Sequence, residues 1–119
     1  MFLSLYKIVE ESANEYKISL DKDNIIFKVH FDGNPVLPGA CMTEISRELI
    51  EKKLNKKLSI KNIKNLKFMQ IVSPTDNQEI IFYFEINNIS QEEIQAKIQI
   101  SNTAKDITFA KMSIILQYD

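Results

Sequence analysis

Tryptophan is absent from this 119-residue chain, and histidine and cysteine occur once each, as His30 and Cys41. A single thiol excludes an internal disulfide and suits a reducing compartment. One histidine and one cysteine without ligand-type spacing are too few for a metal site, so none is expected. There are only two glycines, Gly33 and Gly39. No P-loop, G-x-G-x-x-G turn or G-x-S-x-G elbow can be written with them. An excess of one charge is also missing: 15 basic and 16 acidic residues give a net charge of −1. Nothing global therefore draws the chain to nucleic acid or to an anionic membrane. No apolar run is long enough to span a bilayer, and the stretch from Met1 to Lys7 has no basic n-region of a secretory signal. A cytoplasmic location is the expectation.

The composition that remains is that of a globular protein, 45% apolar and 26% charged, and the length suits one domain spanning residues 1–119. Leu3 to Glu10 and Tyr16 to Asp21 read as strands joined by a polar turn at Ser12-Ala13-Asn14. Ile25 to Val29 is a short apolar approach to His30. From Ala40 to about Lys57 the pattern is helical, with Met42, Ile45, Leu49 and Leu54 recurring at three- to five-residue steps. Ile60 to Val72 is mixed. Ile80, Phe82, Phe84 and Ile86 alternate with other residues, as do Ile94, Ala96, Ile98 and Ile100, and Ile107 to Tyr118 alternates at its start. Period-two alternation in successive segments predicts an antiparallel sheet with one covered face, and the one long helix is its natural cover. The expected class is α+β, a long antiparallel sheet around a helix.

The scarce residues are not scattered. His30, both glycines and two of the three prolines fall within His30-Phe31-Asp32-Gly33-Asn34-Pro35-Val36-Leu37-Pro38-Gly39, and Glu44 lies five residues further on. Imidazole titrates near neutral pH and makes His30 a candidate general base, although a lone histidine is more readily read as one satisfied at a strand end. Gly39 sits just before the helix, and its N–H, with those of Ala40 and Cys41, is expected among the first-turn donors that lack intrahelical partners and can hold an oxygen that gains negative charge. Taken alone, Gly39 is more readily read as a glycine needed only for the turn into the helix. Glu44 sits at the border of the apolar stripe; if buried, it would hold a proton near neutral pH and act as an acid. Cys41 is read as a small apolar core residue more readily than as a nucleophile. Lys52, Lys53, Lys56 and Lys57 cluster at the helix end, either as a solvated face completing the dipole or as a docking patch for an acidic partner.

The string His30-Phe31-x-Gly33-x-Pro35-x-x-Pro38-Gly39 with Glu44 resembles the FabZ/FabA-type 3-hydroxyacyl-(acyl-carrier-protein) dehydratases, whose pattern is H-F-P-G-x-P-x-M-P-G followed by a carboxylate fourteen residues after the histidine. Glutamate at that place resembles the FabZ branch. Phe68 to Asp76 is similar to the family's F-R-x-P-V-x-P-G-D segment, and Thr108-Phe109-Ala110 to its last strand. Asp32, Leu37, Glu48 and Thr75 depart from the pattern. The whole resembles the short members found in aryl polyene and flexirubin-type pathways. The resemblance implies a hot-dog fold and elimination of water from an (R)-3-hydroxyacyl thioester. It makes His30 the base, Glu44 the acid, and Gly39 and Ala40 the donors to the thioester oxygen. It implies no metal or organic cofactor, a substrate carried on the phosphopantetheine of an acyl carrier protein docked near Lys52, Lys53 and Lys56, and a homodimer with shared sites. A higher oligomer or heterodimer stays open. So do three rival readings: a hot-dog thioesterase, a non-catalytic subunit paired with an active paralogue, and a dehydratase that also isomerises.

Overall fold

The structure, a computed structural model, describes residues 4–29 and 35–119. Six strands form one antiparallel sheet: β1 (Tyr6–Glu11), β2 (Glu15–Leu20), β3 (Leu58–Phe68), β4 (Glu79–Asn88), β5 (Glu93–Asn102) and β6 (Thr108–Tyr118). Two helices, α1 (Ile25–Val29) and α2 (Gly39–Leu54), lie between β2 and β3 in the chain. The sheet order is β1-β2-β4-β5-β6-β3. This is the α+β arrangement expected, with the sheet folded around α2.

The alternating segments pair with one another. Phe82 stands opposite Ile100, and Phe84 opposite Ile98. Ile98 in turn faces Met112, and Ile100 faces Ala110. Their inward side chains are buried together with Ile80 and Ile94. Against this face α2 lays Cys41, Met42, Ile45, Leu49 and Ile50, all buried. Ile45, Leu49 and Ile50 are fully enclosed, and each contributes about 1.5–3 kcal/mol by leaving water. Ser46 is buried on the same stripe and is satisfied by donating to Met42 O at 2.8 Å.

Three segments differ from the sequence reading. The first strand starts at Tyr6, with Ser4 and Leu5 outside it, and Leu3 lies outside the described residues. Ile25 to Val29 is a single helical turn: the Asn24 side chain caps it by accepting from the Ile26 N–H at 3.0 Å, and buried Phe27 anchors it. The helix α2 ends at Leu54, because Asn55 takes the left-handed conformation (φ 53°, ψ 45°) that terminates helices. Lys56 and Lys57 therefore lie beyond it.

The mixed stretch is β3, an edge strand paired only with β6. Register shifts between Ile60 and Asn62 and between Ile63 and Asn65 break its alternation. Its apolar residues consequently recur as Ile60, Ile63, Leu66 and Phe68 rather than at every second position. Ile63, Leu66 and Phe68 are 40%, 43% and 50% exposed, an apolar open edge of the kind that proteins cover.

Candidate active site

The entry to α2 is fixed on both sides. The Leu37 N–H donates to Val72 O at 2.8 Å, and the Leu37 side chain is buried. Pro38 then takes the extended N-cap conformation (φ −65°, ψ 148°). Its carbonyl accepts from the N–H groups of Cys41 at 3.0 Å and Met42 at 3.2 Å. Of the three first-turn donors expected to lack a partner, that of Cys41 is instead occupied, because the first turn is wound tightly enough to reach Pro38 O. Those of Gly39 and Ala40 have no acceptor among the described residues. Ala40 is exposed and Gly39 half-buried, so both donors sit at the positive end of the helix dipole within reach of solvent.

Gly39 owes its identity to a close approach. A Cβ built there would lie 2.8 Å from Phe68 Cε2 and 3.0 Å from Cε1, with Cζ nearer still. Its backbone is outside the left-handed region, so the constraint is the ring and not the dihedral. Phe68 thereby closes one wall of a cleft of about 280 Å³ lined also by Leu37, Pro38, Met42 and Ile71. The cleft runs from the helix start toward the exposed end of β3.

Glu44 lies five residues along α2, about 7.5 Å from Gly39 along the axis at 1.5 Å per residue. It is neither buried nor unpartnered: its side chain is 30% exposed, and its Oε1 accepts from both Nε (2.9 Å) and Nη2 of Arg47. Oε2 has no hydrogen bond among the described residues. Arg47 is itself held from the other side. Its Nη1 donates to Glu51 Oε1 at 2.8 Å and to Leu58 O at 3.2 Å. Glu51 Oε2 accepts from the Leu58 N–H at 2.8 Å. The hydrogen bond to Glu44 is the largest cause raising the Arg47 pKa, partial burial opposes it, and the Glu44 and Glu51 charges add to the rise. The guanidinium is a permanent cation.

On the opposite flank of the same helix face, Tyr6 Oη of β1 donates to Glu48 Oε1 at 2.9 Å. The two edge strands thus grip the solvent side of α2, β1 through Glu48 and β3 through Arg47 and Glu51. Burial, with the Glu48 hydrogen bond and charge behind it, pushes the Tyr6 phenol well above its ordinary value. Cys41 is buried and its thiol is pushed up by that burial, the opposite of an activated nucleophile.

The structure gathers Gly39, Ala40 and Glu44 onto the first turns of α2. His30 lies outside the described residues. Lys52 and Lys53 fall at the far end of the helix, Lys52 Nζ 3.9 Å from Glu11 Oε2 and Lys53 Nζ donating to Ala13 O. Lys56, with Lys7, Lys52 and Lys57, borders an open groove of about 690 Å³ beside Tyr6 and Glu48. Arg47 and Tyr6 were not singled out by the sequence reading, and Phe68 only as the first residue of a family-like segment. Arg47 had a usable signal, since Glu44-x-x-Arg47-x-x-x-Glu51 is the spacing of ion pairs on one helix face. No such signal marks the Phe68 contact, which crosses from the end of β3.

The family model of ApeI-like proteins, described as ApeI dehydratase, matches residues 7–108 of the chain. The chain belongs to the ApeI-like dehydratase family. No curated protein sequence matches it. Among solved structures, a thioesterase from Haemophilus influenzae superposes with a TM-score of 0.67 at 11% identity, over 96% of this chain and 78% of that one. Thioesterase superfamily member 2 from Mus musculus gives 0.68 at 12% identity, over 97% and 83%. A hypothetical thioesterase from Streptococcus pneumoniae, solved with coenzyme A, gives 0.64 at 9% identity, over 96% and 85%. At these identities the likeness shows the fold alone, which is the hot-dog fold of an ApeI-like dehydratase.

Proposed function

We propose that this protein is a FabZ-type dehydratase that eliminates water from (R)-3-hydroxyacyl thioesters on acyl carrier protein, giving trans-2-enoyl thioesters in fatty acid or polyene-type synthesis. The observation that carries the reading is the pair of N–H groups at Gly39 and Ala40 that have no acceptor among the described residues, a little over one turn before Glu44 on the same helix, in a chain of a dehydratase family. A thioester acidifies its α-carbon only modestly. Elimination therefore needs donors for the charge that gathers on the thioester oxygen, and these two amides supply them. His30 takes the α-proton. As the C–O bond breaks, Glu44 gives its proton to the departing hydroxyl, which leaves as water. Oε2 is the oxygen suited to carry that proton, because Arg47 already occupies Oε1. Exchange with solvent returns the proton from His30 and restores Glu44, and no cofactor enters the balance.

The exposed apolar edge of β3 supports a homodimer. Pairing there would cover Ile63, Leu66 and Phe68 and close the cleft at Gly39. Such a dimer would share its sites, the arrangement expected from the family resemblance. Lys52, Lys53 and Lys56 lie at or near the basic groove and would meet an acidic carrier, about 12 Å along the helix from Glu44 in the case of Lys52. A second reading, hydrolysis of an acyl thioester, is favoured by one observation: the partly exposed Glu44 carboxyl, held by Arg47, is placed to accept a proton from an attacking water.

The test is to incubate the purified protein with carrier-bound 3-hydroxyacyl thioesters of several lengths and follow the acyl mass. Loss of water that disappears in His30→Ala and falls steeply in Glu44→Gln supports dehydration. Release of free thiol without water loss supports hydrolysis. Full activity in either variant refutes the roles assigned.

A further inference from the structure

The Glu44–Arg47 pair is built more firmly than an ordinary surface ion pair. An exposed i,i+3 pair holds two long side chains by one contact and contributes little. Here the guanidinium is half-buried and anchored on both sides. Two of its donors, Nε and Nη2, converge on one oxygen of Glu44. The remaining nitrogen is tied to Glu51 and to the backbone carbonyl of Leu58. Glu51 completes the ring through the Leu58 N–H. The attachment of α2 to the start of β3 thus has its own bond, Glu51 to Leu58, that does not pass through Arg47. Joining helix to strand leaves the two donors aimed at Glu44 unexplained. They fix the rotamer of the carboxyl and leave Oε2 as the oxygen without a hydrogen bond among the described residues.

We infer that Arg47 is a positioning residue for Glu44: its fork, braced by Glu51 and the Leu58 carbonyl, holds the carboxyl so that Oε2 alone faces the substrate. The inference rests on the assignment of Glu44 to the reaction. It predicts that the effect of Arg47 on turnover passes entirely through Glu44. A guanidinium fork is required, because the single ammonium of lysine cannot hold the carboxyl with two donors.

The experiment is a double-mutant cycle on the full chain, with turnover of one carrier-bound 3-hydroxyacyl thioester as the readout and thermal unfolding as the control for folding. Arg47→Met should lower kcat about 10- to 100-fold, the cost of a carboxyl displaced by roughly an ångström, while KM stays within about twofold because binding is untouched. Arg47→Lys should fail to restore kcat, and it carries the same comparison if the methionine variant does not fold. Glu51→Gln, which weakens the brace and leaves the fork, should lose less than Arg47→Met. In a Glu44→Gln background, Arg47→Met should change the residual rate by less than about threefold. An equal loss in both backgrounds, rescue by lysine, or a loss in KM rather than kcat would overturn the positioning role and leave the proposed reaction standing. Full activity of Glu44→Gln would overturn the reaction assignment and this inference with it.

Discussion

Alanine at position 39 should reverse its effect on stability according to what stands at position 68. In the wild-type chain the added methyl meets the Phe68 ring, with Cε2 at 2.8 Å and Cε1 at 3.0 Å from the Cβ position. The ring is the far end of a side chain that is 50% exposed, so it swings out instead of forcing the backbone. Burying a phenylalanine completely contributes about 1.5–3 kcal/mol, and releasing the half that is covered costs about 1 kcal/mol. Against this stands the entropic gain of replacing glycine where the backbone accepts an L residue, about 0.4–1 kcal/mol. Gly39→Ala should therefore lie within about 0.5 kcal/mol of the parent. In a Phe68→Ala background the clash is gone, and the same substitution should stabilise by about 0.4–1 kcal/mol. The coupling energy is then about 1 kcal/mol, or about 4 °C in Tm for a domain of this size. Urea unfolding of the four proteins at one protein concentration measures it, the fixed concentration removing any contribution from association. Equal stabilisation in both backgrounds would refute the Phe68 contact. A loss of more than about 2 kcal/mol in both would place the constraint in the backbone.

Three further outcomes test separate parts of the structure. The Tyr6 phenol, raised chiefly by burial and then by its hydrogen bond to Glu48, contributes stability that is whole below the ordinary tyrosine value of about 10 and is lost as pH rises above it. Tyr6→Phe should therefore be less stable than the parent by about 1–2 kcal/mol at neutral pH, with the gap narrowing above pH of about 10; a gap constant through that range in pH-resolved unfolding contradicts the assignment. Charge reversal at Lys52 and Lys53 should raise KM for carrier-bound substrate and leave a small thioester analogue unaffected, whereas equal effects on both would remove the docking role. Leu66→Lys on the open edge of β3 should yield a monomer by light scattering and abolish turnover with it, and a dimer that persists would move the interface elsewhere.

The parts of the fold that were legible from sequence are those whose environment has one period. The central strands β4 and β5 bury one face, so Ile80, Phe82 and Phe84, and Ile94, Ala96, Ile98 and Ile100, announce themselves by alternation. The stripe Met42, Ile45 and Leu49 does the same for α2. The strand β3 was illegible because its two register shifts scramble the alternation and its edge position removes the buried face that would have enforced it. The helix α1 spans five residues, too few to show a 3.6-residue period. At the site, the Pro38-Gly39 turn and Glu44 could be read from a motif because local spacing defines them. The occupation of the Cys41 N–H by Pro38 O could not, since it depends on how tightly the first turn is wound. The anchoring of Arg47 on Leu58 O joins residues eleven apart across a helix end and needs the fold to be seen.

The same edge strand bounds both halves of the proposed chemistry. Leu58, at the start of β3, braces Arg47 and through it Glu44. Phe68, at its end, packs on Gly39 and walls the cleft at the open helix terminus. Because β3 runs back alongside α2, one element reaches Arg47, which holds Glu44, at one end and Gly39 at the other. Its two register shifts fall between these contacts, where Ile63 and Leu66 turn outward. A bulged strand bends locally. The irregularity that hides β3 from a sequence reading thus falls between its two contacts with α2. The apolar residues it turns outward are the ones a second chain would cover.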